Sequence, residues 1–562
     1  MEDTTIINSS SESLLFIQGQ DAILVAAPEP DHSFIRIAGQ ALLVLLALQT
    51  LVQLVKRYMF KPKYPRIPGP WQIPYIGRVH DLPLEYTWLK FKEWADEFGP
   101  MYMTKMFGNN LLVLTDENIV EDLLVKRAKI YSDRPMMRSL VDSKSTYGSM
   151  EYLPLMGKNE YWARQRKWAH LAISQTAKLN YRGVMDYEVR RMLYLLTKQP
   201  DDAQMLLEDM ASRIMCTLAW DEPSVSKKNT IDARDLLHQI SPCGPLTNLI
   251  TPLWHLPYWI NPWKQAEKNV RHDPLHAWQS ERFSKVKAAM EKGTQRPCWA
   301  QRFLAESKHA LSGEKEAANC VGMLALMGVL TVGGPLQYFL VSMVHHPEWF
   351  KKCQEEVDRV CQGRMPTLAD SPNLPILRAC IKETVRWRPN IPTGVGHELQ
   401  EDDVYKGYFI PKGTRILPME WGILRDPKKY PDPWNFHPER FLEPHWPTYK
   451  EPLTQFPTIK SMSPFGWGQR TCIGQGITED ENLLSCGGIA WGFDIDFKYT
   501  PEGEKIDVAT DKSNSLLIIK PDKFEIDIRP RAGRREMIIE EFERAEEANE
   551  RSKRECGKEV VA

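Results

Sequence analysis

A single cysteine in a glycine-rich turn constrains this chain more than any other feature of its sequence. Residues 465–474 read Phe-Gly-Trp-Gly-Gln-Arg-Thr-Cys-Ile-Gly, which places Arg470 two residues before Cys472. The glycines allow close backbone approaches that a side chain would forbid. A thiolate in such a turn can accept backbone N–H bonds and ligate a soft or borderline metal such as iron. The alternative is a buried free cysteine, the commoner state of an isolated cysteine.

Two further pairs of residues lie at helical spacing. Glu383 and Arg386 are three residues apart, so they share one helix face and can form an ion pair. Trp162 and Arg166 are four residues apart on another helix. A guanidinium fork and an indole N–H suit recognition of a carboxylate. Such pairs are common on helices, and neither one alone identifies a site.

With the Cys472 turn, these motifs resemble the cytochrome P-450 family of haem-thiolate monooxygenases, in the order that the family requires. The resemblance implies haem b (iron protoporphyrin IX) as the cofactor, with the Cys472 thiolate as the axial ligand of the metal. It also implies a set of residues that contact the haem or its propionates: Phe465, Trp162, Arg166, Arg470 and His397. For His397, a histidine on a surface loop is the alternative.

The resemblance gives the Glu383–Arg386 pair a supporting role. In the family this pair is internal and is joined by an arginine from a later Pro-Glu-Arg-Phe segment, which here contains Arg440. We therefore expect Glu383, Arg386 and Arg440 to support haem binding structurally and to take no part in the chemistry.

The oxygen side of the site is predicted on a long helix that includes residues 320–338. The family's Ala-Gly-x-Asp/Glu-Thr-Thr box falls on residues 327–332, where Gly328 and Thr331 match it. Glycine would let the helix open beside bound oxygen, and the threonine hydroxyl would relay a proton. Leu330 stands where an acid is usual, so ordered water would have to complete the delivery. The Gly-Gly-Pro sequence that follows predicts a kink.

An uncharged apolar segment lies near the N-terminus. Residues 37–55 carry no charge, acidic residues precede them, and lysines and arginines follow. The length suits a membrane span, and the charge asymmetry places the basic side in the cytosol; a buried core helix is the alternative. We predict a lumenal tail over residues 1–34 with a glycosylation acceptor at Asn8, a transmembrane helix over 35–56 and a stiff proline-rich hinge over 57–70.

Residues 71–531 show no repeat, linker or break in composition, and we predict that they form one haem-thiolate monooxygenase domain. Helical patterns dominate it, so the expected fold is mostly α with a minor β-sheet. Extended segments are predicted at Met101–Met106, Asn110–Leu114, Tyr408–Ile410, Arg415–Met419 and Ser515–Ile519. Residues 532–562 form a highly charged tail, predicted as a solvated helix without a catalytic role.

The overall composition excludes several classes of protein. Lysine and arginine number 72 against 73 aspartate and glutamate residues, so no nucleic-acid partner is predicted. Hydrophobic residues make up 43% of the chain, enough for a sizeable core. The cysteines form no CxxC pairs, which fits a reducing compartment and predicts no zinc site.

The resemblance implies a fungal microsomal monooxygenase that hydroxylates or otherwise oxidises a lipophilic small molecule with O2 and NADPH. The chain has no flavin- or nicotinamide-binding glycine motif, so electrons are expected from a separate NADPH–cytochrome P-450 reductase, with cytochrome b5 as a further candidate partner. We expect a single-pass protein of the endoplasmic reticulum membrane with its catalytic domain in the cytosol. A place in secondary-metabolite biosynthesis rests on analogy with fungal members alone.

Two other classes of protein stay open from the sequence. A haem-thiolate isomerase, lyase or dehydratase would need no external electrons, and Leu330 with the neighbouring glycines favours it. The retention of Thr331 argues against that class. The other class is a haem-binding membrane protein without catalytic activity, and the complete set of oxygen-side and electron-transfer features argues against it.

Overall fold

The computed structural model describes most of the chain from residue 64 onward. The described residues are 64–137, 153–176, 181–241, 248, 250, 253, 256–260, 274–305, 311–451 and 456–556, with a few positions between 40 and 52. The chain divides into two units, Met1–Pro62 and Lys63–Ala562. The predicted lumenal tail with Asn8, most of the predicted transmembrane helix and the hinge before residue 64 lie outside the described residues.

Helices make up most of the second unit, which confirms the prediction of a mostly α fold. Pro347 and Pro375 each open a helix, because the fixed φ of proline suits a first turn. In chain order the helices are α1 (Thr87–Phe98), α2 (Glu117–Val120), α3 (Ala128–Tyr131), α4 (Glu160–Thr176), α5 (Tyr181–Leu196), α6 (Ala203–Trp220), α7 (Ser226–Ile240), α8 (Pro274–Glu291), α9 (Trp299–Ala305), α10 (Glu314–His345), α11 (Pro347–Cys361), α12 (Pro375–Trp387), α13 (Glu420–Ile423), α14 (Gln475–Gly492) and α15 (Arg534–Cys556).

The β-structure is small and forms three separate sheets. The strands are β1 (Met101–Met106), β2 (Asn109–Leu114), β3 (His397–Glu398), β4 (Asp403–Tyr405), β5 (Tyr408–Ile410), β6 (Arg415–Pro418), β7 (Phe493–Phe497) and β8 (Ile526–Pro530). The largest sheet has the order β1-β2-β6-β3, with β2 and β6 parallel and the other pairs antiparallel. The pairs β4–β5 and β7–β8 are both antiparallel.

Four of the five predicted extended segments are strands in the structure. Met101–Met106 and Tyr408–Ile410 match β1 and β5, and the segments at β2 and β6 differ by one residue. The prediction at Ser515–Ile519 is wrong, because this segment is irregular. Its backbone bonds go to loops instead of a neighbouring strand: the Ile519 N–H donates to the Asn390 carbonyl at 2.7 Å.

Helix α10 forms the centre of the core. Among the described residues it is the one helix long and apolar enough to cross a membrane, but 78% of its most apolar stretch is buried by the rest of the chain. It includes the whole predicted segment 320–338 and stays helical through Pro335. Its length and burial make it the element against which the helices of the active-site cavity pack.

The charged tail forms helix α15, and one face of this helix is packed. Ile538 is only 1% exposed, and the Phe542 ring stacks on Tyr194 of α5 with centroids 4.6 Å apart. Glu541 pairs with Arg190 of α5 at 3.1 Å. The prediction of a solvated helix is therefore wrong for this face, because apolar residues of the tail recur at helical spacing and pack against α5.

Candidate active site

A largely apolar cavity of about 270 Å³ lies between the Cys472 turn and helix α10, and both contribute to its wall. Its apolar lining includes Met215, Trp299 and Ile518. All the residues that the sequence predicted to contact haem or to take part in oxygen chemistry line this cavity: Cys472, Phe465, Trp162, Arg166, Arg470, His397, Gly328 and Thr331.

Backbone bonds hold Cys472 at the wall of this cavity. Its N–H donates to the Phe465 carbonyl at 2.7 Å, and the Gly474 N–H donates to its Sγ at 3.3 Å. Gly468 permits the turn, because its φ is +54° and a Cβ there would stand 2.2 Å from the Leu124 carbonyl oxygen. The thiol is accessible from the cavity.

Burial and local contacts have opposite effects on the Cys472 thiol. Burial raises its pKa, whereas the Gly474 N–H and the positive charge of Arg166 act to lower it. The turn therefore supplies one contact that stabilises a negative sulfur, the Gly474 N–H, and helix α4 supplies another through Arg166. A coordinated metal ion would supply the rest, because a coordinating thiol is deprotonated outright.

Two arginines and a tryptophan form a basic wall beside the turn. Arg470 donates from Nε to the Ser132 carbonyl at 2.8 Å, and its two terminal nitrogens are buried without a hydrogen-bond partner among the described residues. Its guanidinium lies 4.1 Å from the centre of the Trp162 ring. Arg166 donates to the Thr471 carbonyl. Burial lowers the pKa of Arg470 to about 9, and the charge of Arg166 adds to the effect.

Arg134 is a further cation of this wall that the sequence analysis missed. It donates to the carbonyls of Val395 at 2.8 Å and Gly396 at 2.7 Å, and it lines the cavity. Burial lowers its pKa, and the charges of Arg470 and Arg166 lower it further. It lies in a loop after α3, where no helical or strand spacing marks it in the sequence.

His397 belongs to the same wall, on strand β3. It is only 1% exposed, which excludes the alternative of a surface histidine. Its Nδ1–H donates to the Tyr131 carbonyl at 2.8 Å, so Nε2 is the nitrogen left for a ligand. Burial lowers the pKa of His397 well below its ordinary value, and the charges of Arg134 and Arg470 add to this.

Helix α10 supplies Thr331 and Gly328 from the box that the sequence predicted. The Thr331 hydroxyl donates to the Met327 carbonyl at 2.6 Å. At Gly328 the missing side chain leaves space that Met215 of α6 fills, because a Cβ would stand 2.5 Å from the Met215 sulfur. The backbone is regular α-helix at this point. Leu330, where an acid is usual, is buried in the core and is not among the lining residues.

The predicted supporting residues form one buried ion cluster. Arg386 donates to both carboxylate oxygens of Glu383 at 2.7 Å, and Arg440 donates to one of them at 3.2 Å. All three side chains are 0% exposed. The His437 N–H also donates to Glu383, at 2.9 Å. None of the three is among the residues that line the cavity, so their geometry suits support and not contact with a substrate.

A comparison with protein-family models places this site in a known group. The model of the Cytochrome P-450 family matches residues 67–526 of the chain. The chain belongs to the cytochrome P-450 family. The match covers well over half of the chain and includes the Cys472 turn, the basic wall and the ion cluster.

Curated relatives of this cytochrome P-450 are fungal monooxygenases. Cytochrome P-450 monooxygenase 58 of Postia placenta is 29% identical, over 88% of this chain and 94% of that protein. The monooxygenase virE of Hypocrea virens is 31% identical, over 85% of this chain and 88% of that protein. A zebra fish cytochrome P-450 solved with abiraterone superposes with a TM-score of 0.61 at 21% identity, over 79% of this chain and 99% of that one. The structural likeness shows the fold, and the sequence matches establish an enzyme of the monooxygenase family.

The residues of the cavity wall fit the haem that the family carries. Glu420 is the one carboxyl among the described lining residues, and burial raises its pKa to about 8, so it is protonated at neutral pH. The basic wall therefore has no ionised carboxylate of its own in the cavity. Two haem propionates would supply partners for the unpaired nitrogens of Arg470, and the iron would face the Cys472 sulfur.

Proposed function

We propose that this cytochrome P-450 oxidises a lipophilic small molecule with O2, using two electrons that originate from NADPH. The observation that carries the proposal is that the Cys472 thiol, the basic wall and the Thr331 hydroxyl all line one apolar cavity. Bound there as haem b, the cofactor would supply the thiolate-assisted cleavage of the O–O bond. The side chains of this chain bind it, exclude water and hold a proton donor.

The proposed role of each cavity side chain follows from its position. Cys472 would hold the iron through Sγ, while Arg166, Arg470, Arg134 and His397 would hold the propionates. Apolar side chains of α6, α9 and α10 then keep bulk water away from the reacting atoms, which strengthens every polar interaction inside the cavity.

Thr331 is the proposed proton-donating group of the cavity. Its hydroxyl is already committed to the Met327 carbonyl, so it has to rotate before it can donate into the cavity. Because Leu330 is apolar and buried, the proton that replaces the one given up by Thr331 has to come through water. A group that delivers a proton has to lie within hydrogen-bond reach of the atom that accepts it, so correct placement of Thr331 is important.

The substrate class follows from the chemistry of the lining. Most side chains in the part of the wall formed by α6, α9 and α10 are apolar, among them Met215, Trp299 and Met323. Burial of the apolar surface of a ligand against such a wall is favourable, and the wall offers few polar contacts, so the proposed substrate is lipophilic. The fungal relatives support a role in secondary-metabolite biosynthesis, by resemblance alone.

We place the enzyme on the endoplasmic reticulum membrane, with NADPH–cytochrome P-450 reductase as electron donor and cytochrome b5 as a further candidate. The described positions of residues 40–52 are helical, and Val44, Leu48, Leu51 and Val52 are each about half exposed. Exposed apolar side chains on a helix suit a lipid environment, and basic residues follow them in the sequence. Both points support a single-pass anchor with a cytosolic catalytic domain.

A haem-thiolate isomerase, lyase or dehydratase is the second candidate, favoured by Leu330. The two candidates differ in their need for electrons. Purified haem-loaded protein is screened against lipophilic compounds for a shift of the ferric Soret band, and compounds that shift it are incubated with ¹⁸O2, with and without reductase and NADPH. We expect ¹⁸O in the product only when both are present. An unlabelled product formed equally without NADPH would replace the first candidate with the second.

A further inference from the structure

Pro335 interrupts the hydrogen-bond ladder of helix α10 one turn after Thr331. In an α-helix each N–H donates to the carbonyl four residues earlier, and proline has no N–H. The Thr331 carbonyl is therefore the one that loses its donor. A carbonyl without a hydrogen-bond donor beside an apolar cavity is destabilising, unless water donates to it or the turn distorts to find another donor.

Asn390 supplies the missing donor from outside the helix. Its Nδ2 donates to the Thr331 carbonyl at 3.0 Å, and Asn390, Thr331 and Pro335 all line the cavity. The orientation of the amide follows from the partner, because a carbonyl can only accept. We propose that Asn390 is a positioning residue that fixes the turn carrying the Thr331 hydroxyl. The inference rests on the proposed role of Thr331.

The chain holds Asn390 in place by its backbone. The Ile519 N–H donates to the Asn390 carbonyl at 2.7 Å. Ile519 in turn approaches α10 at Gly334, where a Cβ would stand 2.9 Å from the Ile519 carbonyl oxygen. Gly334 and Pro335 therefore have complementary roles. Gly334 leaves room for the irregular segment at residue 519, and Pro335 leaves the Thr331 carbonyl without a helical donor, so that it can accept from Asn390.

The same turn carries the Thr331 hydroxyl bond to Met327. Thr331 thus has its hydroxyl tied to the preceding turn and its carbonyl tied to Asn390. Loss of the Asn390 donor frees the carbonyl end, and the carbonyl then turns towards solvent or a water molecule. This rotation moves the hydroxyl relative to the Cys472 side of the cavity.

The carbon–oxygen stretching frequency of carbon monoxide on the reduced, haem-loaded protein tests the inference without turnover. The frequency measured in Thr331→Val is the reference value for a protein that lacks the hydroxyl. Asn390→Leu keeps similar bulk and removes the donor, whereas Asn390→Leu with Pro335→Ala restores an N–H at position 335. Asn118→Leu, at an exposed site on α2, is the matched control.

We expect Asn390→Leu to shift the frequency towards the Thr331→Val value, and the added Pro335→Ala to return it to that of the unmodified protein. A general loss of packing would not be repaired in this way. An unchanged frequency in Asn390→Leu, or no rescue by Pro335→Ala, overturns the inference; so does a Thr331→Val variant with an unchanged frequency. Because the measurement needs neither NADPH nor a reductase, its outcome is separate from that of the ¹⁸O2 experiment.

Discussion

Cys472 differs from the other described cysteines in where its sulfur lies. The Cys472 sulfur faces the cavity and accepts the Gly474 N–H, whereas seven other cysteines are buried: Cys216, Cys298, Cys320, Cys353, Cys361, Cys380 and Cys486. We expect Cys472→Ser to abolish the red-shifted Soret band of the ferrous–carbon monoxide complex, because a serine hydroxyl cannot act as a thiolate ligand. Cys361→Ser, at a buried position on α11, is the control and should keep the band. A thiolate spectrum in Cys472→Ser would show that another cysteine binds the iron.

Glu420 is a buried carboxyl that the sequence did not single out. One oxygen accepts the Trp467 indole N–H at 3.0 Å, and the other has no hydrogen-bond partner among the described residues. Burial is the main cause that raises its pKa from an ordinary 4.5 to about 8. The folded protein therefore keeps a proton that the unfolded chain releases above pH 4.5.

This linkage predicts a pH-dependent stability. Because the pKa is raised by folding, the contribution of Glu420 to the free energy of unfolding falls as the pH rises from 4.5 towards 8. Glu420→Gln keeps the acceptor for Trp467 and removes the titration. Its free energy of unfolding should therefore exceed that of the unmodified protein by about 1–3 kcal/mol at pH 8 and by little at pH 5. Denaturant unfolding at both pH values measures this. An equal effect at both, or the same gain from exposed Glu443→Gln, would contradict the assignment.

At the scale of elements, the Glu383 cluster joins helix α12 to the segment before the Cys472 turn. Glu383 has two arginines and a backbone N–H as partners, and Arg386 also donates to the Leu424, Pro433 and Asn435 carbonyls. Removing one partner of a buried ion pair costs about 3–5 kcal/mol. We therefore expect Glu383→Ala to give haem-poor or unfolded protein, measured as haem per polypeptide. Exposed Glu348→Ala should be normal, and normal haem content with slower turnover in Glu383→Ala would contradict a supporting role.

Helix α15 lies beyond the residues that the family model matches, and it packs on α5. Phe542 contacts Tyr194 and, with centroids 6.3 Å apart, Tyr187 of α5. Phe542→Ala should reduce the stability of the packed helix α15 by about 1–3 kcal/mol, because it removes aromatic contacts that are only partly buried. The expected result is faster amide hydrogen exchange in α15 with unchanged haem content. Glu543→Ala, exposed on the same helix, is the control; unchanged exchange in Phe542→Ala would mean that α15 is held by its ion pairs instead.

At the scale of the whole molecule, the proposed topology places the body in the cytosol and Asn8 in the lumen. Protease treatment of intact microsomes should remove the catalytic domain and leave a short N-terminal fragment protected. The physical reason is the cluster of basic residues after the apolar segment, which stays on the cytosolic side. Protection of the catalytic domain, with loss of protection after detergent, would reverse the topology.

Local patterns were enough for many of the elements and for the main site residues. The Cys472 turn, the Trp162–Arg166 pair and the Glu383–Arg386 pair depend on spacing within a few residues, which helix and turn geometry determine directly. The alternation Phe-Asp-Ile-Asp-Phe of β7 was also readable as a strand and was missed. The strand predicted at Ser515–Ile519 was wrong, because apolar residues that line a cavity show the same sequence pattern as a buried strand.

Contacts between distant parts of the chain were decided only by the tertiary structure. Arg134 joins the basic wall from a loop, Glu420 reaches Trp467 across 47 positions, and Asn390 reaches Thr331 across 59. The sequence by itself determined the family signature, the helical class and the position of the thiol, because these follow from short-range geometry. It could not determine that Asn390 supplies the hydrogen bond that Pro335 cannot donate within α10. The missing N–H shows only that some group has to replace it, and the folded structure decides which group is close enough.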